Sequence, residues 1–230
     1  MALPNPPLIS LGRKEFFRII PSCFPSIDVF EGIYDSDEER ELAFPIEGLT
    51  NPRFRAEAGE IYLISEDEWL TGPGASSVMA AFTHIGYSSR FADGSFGVYY
   101  AARTMAMAIA IAETSYHRAE FLAATQQPDQ EITMRVYSGT TAGKFHDLAE
   151  KKFMSLLDPE DYTKSQLFAR RLIKKGSDGF LFPSARDEGG LCLAVFRPKA
   201  LRLSKQRHHL RYLYHAATES IREVLEIRSL

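Results

Sequence analysis

The chain has 230 residues, of which 45% are hydrophobic, and its formal net charge at pH 7 is −3. This size and composition predict one folded domain with a sizeable core and argue against disordered or fibrous classes. The slightly acidic balance argues against a general nucleic-acid-binding protein, which needs a strongly basic surface. The N-terminus lacks a signal-peptide pattern and no stretch of about 18 apolar residues occurs, so we expect a cytoplasmic protein without a membrane partner.

The first 60 residues are predicted to form an N-terminal extension that packs on the core. This segment is rich in proline, and residues 35–40 are a charge run typical of a solvated surface. Residues 13–20 have the composition of a short amphipathic helix. Residues 61–230 are then expected to form a single catalytic domain.

Strand-like and helix-like segments alternate in this second part of the chain. Short apolar runs rich in β-branched or aromatic residues predict strands at residues 61–64, 96–102, 132–138, 180–182, 191–196 and 201–204. Capping residues and helical spacing of apolar residues predict helices at residues 65–69, 75–82, 105–124, 158–175 and 216–227. No internal repeat is present, so the pattern predicts the α+β class.

A single carboxylate, Glu113, follows the mostly apolar first half of the helix predicted at residues 105–124. Burying a charged carboxylate is costly unless the group is paired or takes part in chemistry. An ion pair with His117 one helical turn away, or with Arg90, explains this residue as well as a catalytic role does. The spacing alone leaves these alternatives open.

Glu113, Arg90 and a neighbouring tyrosine together suit the cleavage of a nucleotide's N-glycosidic bond. A guanidinium binds phosphate oxygens in a bidentate manner, and a carboxylate beside a sugar stabilises a transition state with oxocarbenium character. A tyrosine ring can stack on a flat base such as nicotinamide, which is a good leaving group. Side chains alternate along a strand, so only one of Tyr99 and Tyr100 can face a given pocket. The sequence leaves that choice open.

Ser184 lies at the exit of the strand predicted at residues 180–182, where side chains tend to face pockets. It can donate a hydrogen bond to a phosphate or ribose oxygen, or it can simply form a turn. No Gly-x-Ser-x-Gly elbow surrounds it, which argues against a nucleophile. The histidines and the two cysteines, Cys23 and Cys192, match no metal-binding spacing, so we expect no metal and buried, reduced thiols.

Four ordered sequence blocks resemble the RES domain, a family known as toxins of toxin–antitoxin pairs. The blocks are SRF at 89–91, GVYYAA at 97–102, AET at 112–114, and DGFLFPSARDEGG at 178–190 with AVFRP at 194–198. Residues 49–84 are also similar to the long-form members of this family. The resemblance implies as catalytic residues Arg90, Tyr100, Glu113 and Ser184. It implies as substrate-binding residues Arg90, Phe91, Tyr99 and Ser184.

The resemblance also implies a fold similar to that of ADP-ribosyltransferases. This fold is a small, split, mixed β core flanked by helices, here with a helical or loop-like N-terminal extension. NAD+ is the implied substrate, and no cofactor is expected beyond it. Family members hydrolyse NAD+, cleave it with inorganic phosphate as the second substrate, or transfer ADP-ribose to a protein. A cognate antitoxin, usually with an Xre-like DNA-binding domain, is implied as the partner that blocks the cleft.

We therefore expect a toxin that depletes NAD+ by cleaving the nicotinamide–ribose bond. In this hypothesis Arg90 binds a phosphate, Tyr100 orients nicotinamide or its ribose, and Glu113 binds ribose hydroxyls and stabilises the developing cation. Ser184 assists at a phosphate or ribose oxygen. The alternatives are a protein mono-ADP-ribosyltransferase and a non-catalytic nucleotide-binding module. Direct nucleic-acid binding through the basic helix face at residues 164–175 is disfavoured by the net charge, and the oligomeric state, including a homo-oligomer, stays open.

Overall fold

The centre of the protein is a mixed β-sheet, as a computed structural model covering residues 3–22, 60–72, 74–103, 107–202 and 204–227 shows. Its strands are β1 (Leu8–Ser10), β2 (Phe16–Pro21), β3 (Tyr99–Arg103), β4 (Gln130–Gly139), β5 (Lys144–Asp147), β6 (Gly179–Pro183), β7 (Leu191–Val195), β8 (Lys205–His215) and β9 (Ser220–Ile227). Their order in the sheet is β1-β5-β6-β7-β3-β2-β4-β8-β9. β5 and β6 are parallel and the other neighbours are antiparallel.

The α-helices of the described residues cover both faces of this sheet. They are α1 (Ala75–Thr83), α2 (Met107–Ala124) and α3 (Thr163–Ile173). α1 packs Val78 and Phe82 into the core on one face. α2 and α3 lie on the opposite face, and α2 packs against β2, β3 and β9. The predicted α+β class is confirmed, and within the described residues no helix is long and apolar enough to cross a membrane.

The central strands are buried on both faces, which is why their sequences read as continuous apolar runs. In β6, Phe180 and Phe182 face the α2 and α3 side, whereas Leu181 faces the α1 side. β7 alternates in the same way, with Cys192 on the α2 side and Leu193 on the α1 side. The strands predicted from these runs are confirmed because both faces of a central strand need apolar side chains.

A close backbone contact explains the glycine in the GVYYAA block. A Cβ atom at Gly97 would lie 2.3 Å from the carbonyl oxygen of Ala81, which is in α1. A real Cβ atom cannot approach an oxygen this closely, so another residue would push α1 away from the start of β3. The glycine therefore sets the distance between α1 and the strand that carries Tyr99 and Tyr100.

The sheet is split between β2 and β3. These two strands pair only at Phe16 with Arg103 and at Phe17 with Ala102. β2 stays paired to β4 on its other side as far as Pro21. The split, mixed β core that the family resemblance implied is therefore present. Residues 99–101 of β3, which precede Ala102, are left without a strand partner on this side.

The helix predicted at residues 13–20 is wrong, because this segment contains β2, which lies near the middle of the sheet. Its aromatic and β-branched residues bury both faces, and pairing with two neighbours outweighs any helical periodicity. The expected helical or loop-like extension is likewise wrong for β1, which pairs with β5. Residues 23–59, with the charge run and Cys23, lie outside the described residues, and the division of the chain at residue 60 stays a prediction.

The terminal helix predicted at residues 216–227 is also wrong. Here β9 forms an antiparallel hairpin with β8, a long strand that the sequence did not indicate. Glu219, in the turn, has a φ of 46°, a left-handed conformation that stops a helix. The Glu, Arg and Leu residues of β9 favour helices, but the free edge of β8 supplies hydrogen bonds that decide the conformation.

Four further predictions also differ from the structure. The strand predicted at residues 61–64 is a 3₁₀ turn at Ile61–Leu63, and the helix start predicted at residues 65–69 is a second one at Glu66–Glu68. Of the edge strand predicted at residues 201–204, the described residues 201, 202 and 204 form one bridge, between Thr141 and Leu201. The long helix predicted from residue 158 begins five residues later, at Thr163.

Candidate active site

A cavity of about 670 Å³ opens beside the split in the sheet, on the face covered by α2 and α3. Its volume is typical of a site for a small molecule. The walls come from β2, β3, α2, the loop before α3 and the loop after β6. They are lined by Phe17, Arg18, Ile19, Ser88, Ser89, Arg90, Tyr100, Ala101, Ala102, Ala110, Glu113, Thr114, Tyr116, His117, Glu120, Pro159, Glu160, Tyr162, Phe182, Arg186 and Cys192. Arg90, Tyr100 and Glu113 were expected to meet in one pocket, and they do.

The turn that carries Arg90 is held by the first residues of α3. Ser165 Oγ donates a hydrogen bond to the Arg90 carbonyl at 2.5 Å. Gln166 Nε2 donates to the carbonyl oxygens of Ser89 and Ala92 at 2.8 and 3.2 Å. The turn lies far from α3 in sequence, so only the folded chain supplies these donors. They fix the backbone from which Arg90 enters the cavity.

Arg90 is 8% exposed, and its guanidinium is oriented by the loop before α3. Its Nη1 donates to the Asp158 carbonyl at 2.6 Å, and its Cζ lies 4.8 Å from the centre of the Tyr162 ring. Burial lowers the pKa of Arg90, although nearby Tyr162 and Glu113 oppose that shift. An arginine stays protonated at neutral pH despite such a lowered pKa. The N–H groups of the Arg90 guanidinium that do not bind the Asp158 carbonyl can therefore donate hydrogen bonds to an anion in the cavity.

The structure decides between the two tyrosines of β3, because Tyr100 lines the cavity and Tyr99 does not. Tyr99 is fully buried on the α1 side of the sheet, where its ring is stacked on Phe82 and meets Phe16 edge-on. The expected contact between Tyr99 and substrate is therefore wrong. Adjacent residues of a strand point to opposite faces, so only one of the pair can reach the cavity.

The hydroxyl of Tyr100 is used by the turn that carries Arg90. It accepts a hydrogen bond from the Phe91 backbone N–H at 3.0 Å and is 2.9 Å from Ser89 Oγ. Burial raises the pKa of Tyr100 to about 12, so the hydroxyl stays protonated. The ring can still meet a ligand, but the hydroxyl acts on the Arg90 turn.

Phe91 is a core residue and does not line the cavity. Its side chain is fully buried, with its ring centre 4.9 Å from that of Phe180 and 5.0 Å from that of Phe182. The expected contact between the Phe91 side chain and substrate is therefore wrong. What Phe91 contributes is its backbone N–H, which anchors Tyr100.

The carboxylate of Glu113 enters the cavity from α2 and meets three groups. Ser184 Oγ donates to its Oε1 at 2.5 Å, and Cys192 Sγ lies 3.8 Å from the same oxygen. Arg186 Nη1 is 3.6 Å from Oε2. The ion pairs that were open alternatives are not formed with His117 or with Arg90. His117 instead lies 3.4 Å from Glu120.

Ser184 is hydrogen-bonded to Glu113 but does not itself line the cavity. Besides donating to Glu113, its Oγ accepts hydrogen bonds from the backbone N–H groups of Arg186 and Asp187, both at 3.1 Å. A hydroxyl has one hydrogen and two lone pairs, so all of its capacity is used. The structure assigns Ser184 the task of orienting Glu113, and its direct contact with substrate stays a prediction.

Arg186 is the main residue of this site that the sequence reading missed. It lies two positions after Ser184, inside the fourth sequence block. Its side chain is 10% exposed, and its Cζ is 3.8 Å from the centre of the Tyr116 ring. Tyr116 is itself held by a hydrogen bond from its hydroxyl to Glu120 at 2.8 Å. The position of Arg186 in the block was a usable signal, whereas the stacking on α2 was not visible in the sequence.

Cys192 lies at the base of the site as a buried thiol. Burial and the neighbouring Glu113 raise its pKa to about 12, so it is protonated at neutral pH and is not a nucleophile. Among the residues that the structure describes, no three His, Cys, Asp or Glu side chains are grouped as metal ligands. The absence of a metal remains an expectation.

Comparison with known proteins gives matches of three kinds: a family model, a curated protein and solved structures. A family model described as the RES domain matches residues 64–215. The uncharacterized protein y4oC of Sinorhizobium fredii (strain NBRC 101917 / NGR234) is 28% identical over 214 residues, which cover 91% of this chain and 86% of that protein. A chain in the crystal structure of the M. tuberculosis MbcT–MbcA toxin–antitoxin complex aligns with 14% identity and a TM-score of 0.40, covering 60% of this chain and 78% of that one.

Proposed function

Because the chain belongs to the RES domain family, we propose that it is the toxin of a toxin–antitoxin pair and that it consumes NAD+. Toxins of such pairs are the known members of this family. The proposed reaction is cleavage of the bond between nicotinamide and ribose. The proposal applies to the cavity beside the sheet split, where three of the four expected catalytic residues line the wall and the fourth, Ser184, contacts one of them.

The observation that carries the proposal is the single oriented carboxylate of Glu113. It is held on one oxygen by Ser184 and faces Arg186 on the other side. Glu113 keeps 21% of its side chain exposed, whereas the side chain of Arg186 beside it is 10% exposed and Cys192 is buried. An oriented but accessible carboxylate in a largely apolar cavity suits a reaction that develops positive charge on a sugar.

In the proposed step, the bond between ribose C1′ and the nicotinamide nitrogen breaks and its electron pair leaves with nicotinamide. The pyridinium nitrogen thereby becomes neutral, and positive charge develops on C1′ and the ring oxygen. Glu113 stabilises that charge and accepts hydrogen bonds from the ribose hydroxyls. A water or phosphate oxygen then bonds to C1′, and a proton from that acceptor passes to solvent. The products are nicotinamide and either ADP-ribose or its 1-phosphate.

Arg90 and Arg186 supply positive charge for the phosphate groups of the substrate. Both side chains are largely buried, so their interactions with an anion are stronger than those of surface arginines. Burial is the main cause of the lowered pKa of Arg90, and Tyr162 opposes it. The positive charge of Arg186 is close enough to lower that pKa further. A bound phosphate relieves this repulsion between like charges.

The proposed reaction is tested by incubating the purified chain with NAD+ and measuring free nicotinamide, with and without inorganic phosphate. Release that needs phosphate identifies phosphorolysis, and release without phosphate identifies hydrolysis. No release under either condition contradicts the proposed activity. A labelled protein band in cell lysate with labelled NAD+ would instead indicate protein ADP-ribosylation, and binding of NAD+ without products would indicate a nucleotide-binding module.

The partner that we propose is an antitoxin that covers the mouth of this cavity. The family resemblance supports an Xre-like protein with a DNA-binding domain. Co-expression of the chain with the protein encoded beside it is expected to restore growth and to block nicotinamide release in vitro. A neighbouring protein that restores growth without lowering nicotinamide release would show that the cavity is not what the partner covers.

The Tyr100→Phe variant is expected to raise the KM for NAD+ about tenfold with a smaller change in kcat. The change leaves the Phe91 N–H without its acceptor, a loss of about 1–3 kcal/mol for a buried donor, and loosens the turn that positions Arg90. Initial rates of nicotinamide release measure the effect. Tyr87→Phe is the control because Tyr87 is 87% exposed. A wild-type KM in the Tyr100→Phe variant would show that its hydroxyl does not position Arg90.

A further inference from the structure

The loop before α3 forms the part of the cavity wall that holds Arg90, and it contributes Pro159, Glu160 and Tyr162 to the lining. The Asp158 carbonyl accepts a hydrogen bond from Arg90 Nη1 at 2.6 Å, and Asp158 Oδ1 accepts one from the Glu160 backbone N–H at 2.9 Å. Glu160 lies two residues after Asp158, and two residues of chain span at most about 7 Å. The loop therefore places Glu160 on the wall beside Arg90.

The positions of Glu113 and Arg90 give a dinucleotide in this cavity a direction. In the proposed reaction the nicotinamide ribose lies at Glu113 and a phosphate lies at Arg90. The Glu113 carboxylate is held by the loop after β6, whereas the Arg90 guanidinium is held by the loop before α3. The second ribose and the adenine follow the phosphates in the covalent structure, so they continue past Arg90 towards the loop before α3.

Three glutamates line the cavity, and they differ in what their carboxylates contact. Glu113 accepts the hydrogen bond from Ser184. Glu120 accepts one from the Tyr116 hydroxyl at 2.8 Å and lies 3.4 Å from His117. The Glu160 carboxylate has no such partner in the described part of the chain, where only its backbone N–H is hydrogen-bonded. Glu160 is therefore the acid of the cavity that is free to accept hydrogen bonds from a ligand.

The chemistry of this loop suits a ribose with a free 2′-hydroxyl. A carboxylate beside a ribose accepts hydrogen bonds from its hydroxyls and repels a phosphate at the 2′ position. Dinucleotide-binding sites that accept a 2′-phosphate place an arginine there instead. Residues 157–162, with the sequence LDPEDY, contain no lysine or arginine that could pair with such a phosphate.

We propose that Glu160 is a specificity-determining residue that binds the 2′-hydroxyl of the adenosine ribose and makes the cavity select NAD+ over NADP+. The inference deepens the proposed function and rests on it for the identity of the ligand. Glu160 lies outside the four sequence blocks, and it reaches the cavity because the Asp158 carbonyl binds Arg90, which is 68 residues earlier in the chain.

The test compares four purified full-length variants with the wild type. Glu160→Gln removes the charge and keeps a hydrogen-bond acceptor, and Glu160→Lys reverses the charge. Glu120→Gln makes the same change at another glutamate of the cavity, and Glu223→Gln makes it at an exposed residue of β9. Calorimetry measures the binding of ADP-ribose and of 2′-phospho-ADP-ribose to each protein. Nicotinamide release then gives kcat/KM for NAD+ and for NADP+.

We expect the wild type to bind ADP-ribose about tenfold or more tightly than 2′-phospho-ADP-ribose, because the 2′-phosphate lies beside the Glu160 carboxylate. Glu160→Gln reduces this preference about tenfold, mainly by tightening the binding of the 2′-phosphorylated ligand. Glu160→Lys binds that ligand at least as tightly as ADP-ribose. Glu120→Gln and Glu223→Gln keep the wild-type preference.

Three results would overturn the proposal. The first is a wild type that binds the two ligands equally. The second is an unchanged preference in both Glu160→Gln and Glu160→Lys, which substitute an exposed residue and are expected to fold. The third is a loss of preference in Glu120→Gln that equals the loss in Glu160→Gln, since the effect would then not be specific to the loop before α3.

The calorimetric measurements need no turnover, so they separate this proposal from the proposed reaction. If the wild type releases no nicotinamide but Glu160→Gln loses the preference for ADP-ribose, the reaction is wrong and the role of Glu160 stands. If the wild type releases nicotinamide and Glu160→Gln keeps the wild-type ratio of kcat/KM for NAD+ and NADP+, the reaction stands and the role of Glu160 is wrong.

Discussion

The Glu113→Gln variant is expected to release nicotinamide about 10³-fold more slowly than the wild type, with little change in stability. An amide keeps the shape of the side chain and can still accept the hydrogen bond from Ser184. It lacks the negative charge that stabilises the developing cation, and loss of one such electrostatic contribution typically costs about 10²–10³ in rate. The measurement is kcat for nicotinamide release together with the thermal unfolding midpoint.

Glu223→Gln is the matched control for this variant, because Glu223 is an exposed glutamate on β9 far along the chain from the cavity residues. It should release nicotinamide at the wild-type rate. If Glu113→Gln keeps more than about a tenth of the wild-type kcat, the charge of Glu113 does not stabilise the transition state. If it loses activity only because it is unfolded, the unfolding midpoint will reveal this.

The Ser184→Ala variant is expected to lower kcat about 10²-fold while KM for NAD+ changes little. Alanine removes the donor that orients the Glu113 carboxylate, and it leaves the N–H groups of Arg186 and Asp187 without their acceptor. The unpaired groups should also lower the free energy of unfolding by about 1–3 kcal/mol. Steady-state kinetics and denaturant unfolding measure the two effects separately.

Ser155→Ala is the control here, since Ser155 is an exposed serine outside the cavity. Ser184→Thr keeps a hydroxyl and should recover a large part of kcat, which a purely structural loss would not explain. A KM that rises with an unchanged kcat would contradict the positioning role. That result would instead support the prediction from the sequence that Ser184 directly contacts a phosphate or ribose oxygen.

The double variant Glu113→Gln with Ser184→Ala tests whether the two residues act as a unit. Because Ser184 acts through the Glu113 carboxylate, its removal should cost little once the charge is gone. We expect the double variant to lie within about threefold of Glu113→Gln, whereas independent roles would multiply the two losses. Multiplied losses would separate Ser184 from Glu113 in the mechanism.

The sequence alone determined the parts of this protein that depend on local pattern. Helical spacing identified α2 and α3, because a packed helix buries one face at every turn. Uninterrupted apolar runs identified β6 and β7, because a central strand buries side chains on both of its faces. The sequence blocks around Arg90, Glu113 and Ser184 pointed to the right residue types for one pocket. The same local reasoning failed for β2 and β9, where hydrogen bonds to strands distant in the chain outweigh intrinsic preference.

Only the tertiary structure decided how the site is assembled. Tyr100 lies on the face of β3 that α2 covers and lines the cavity, whereas Tyr99 lies on the opposite face. Ser184 contacts Glu113 without lining the cavity, and its hydroxyl uses its hydrogen and both lone pairs in hydrogen bonds within the protein. The tertiary structure also brought Arg18 into the cavity, because β2 leaves β3 after two residue pairs while staying on β4. Strand register and the point where two strands part are set by contacts between distant segments, which no single stretch of sequence contains.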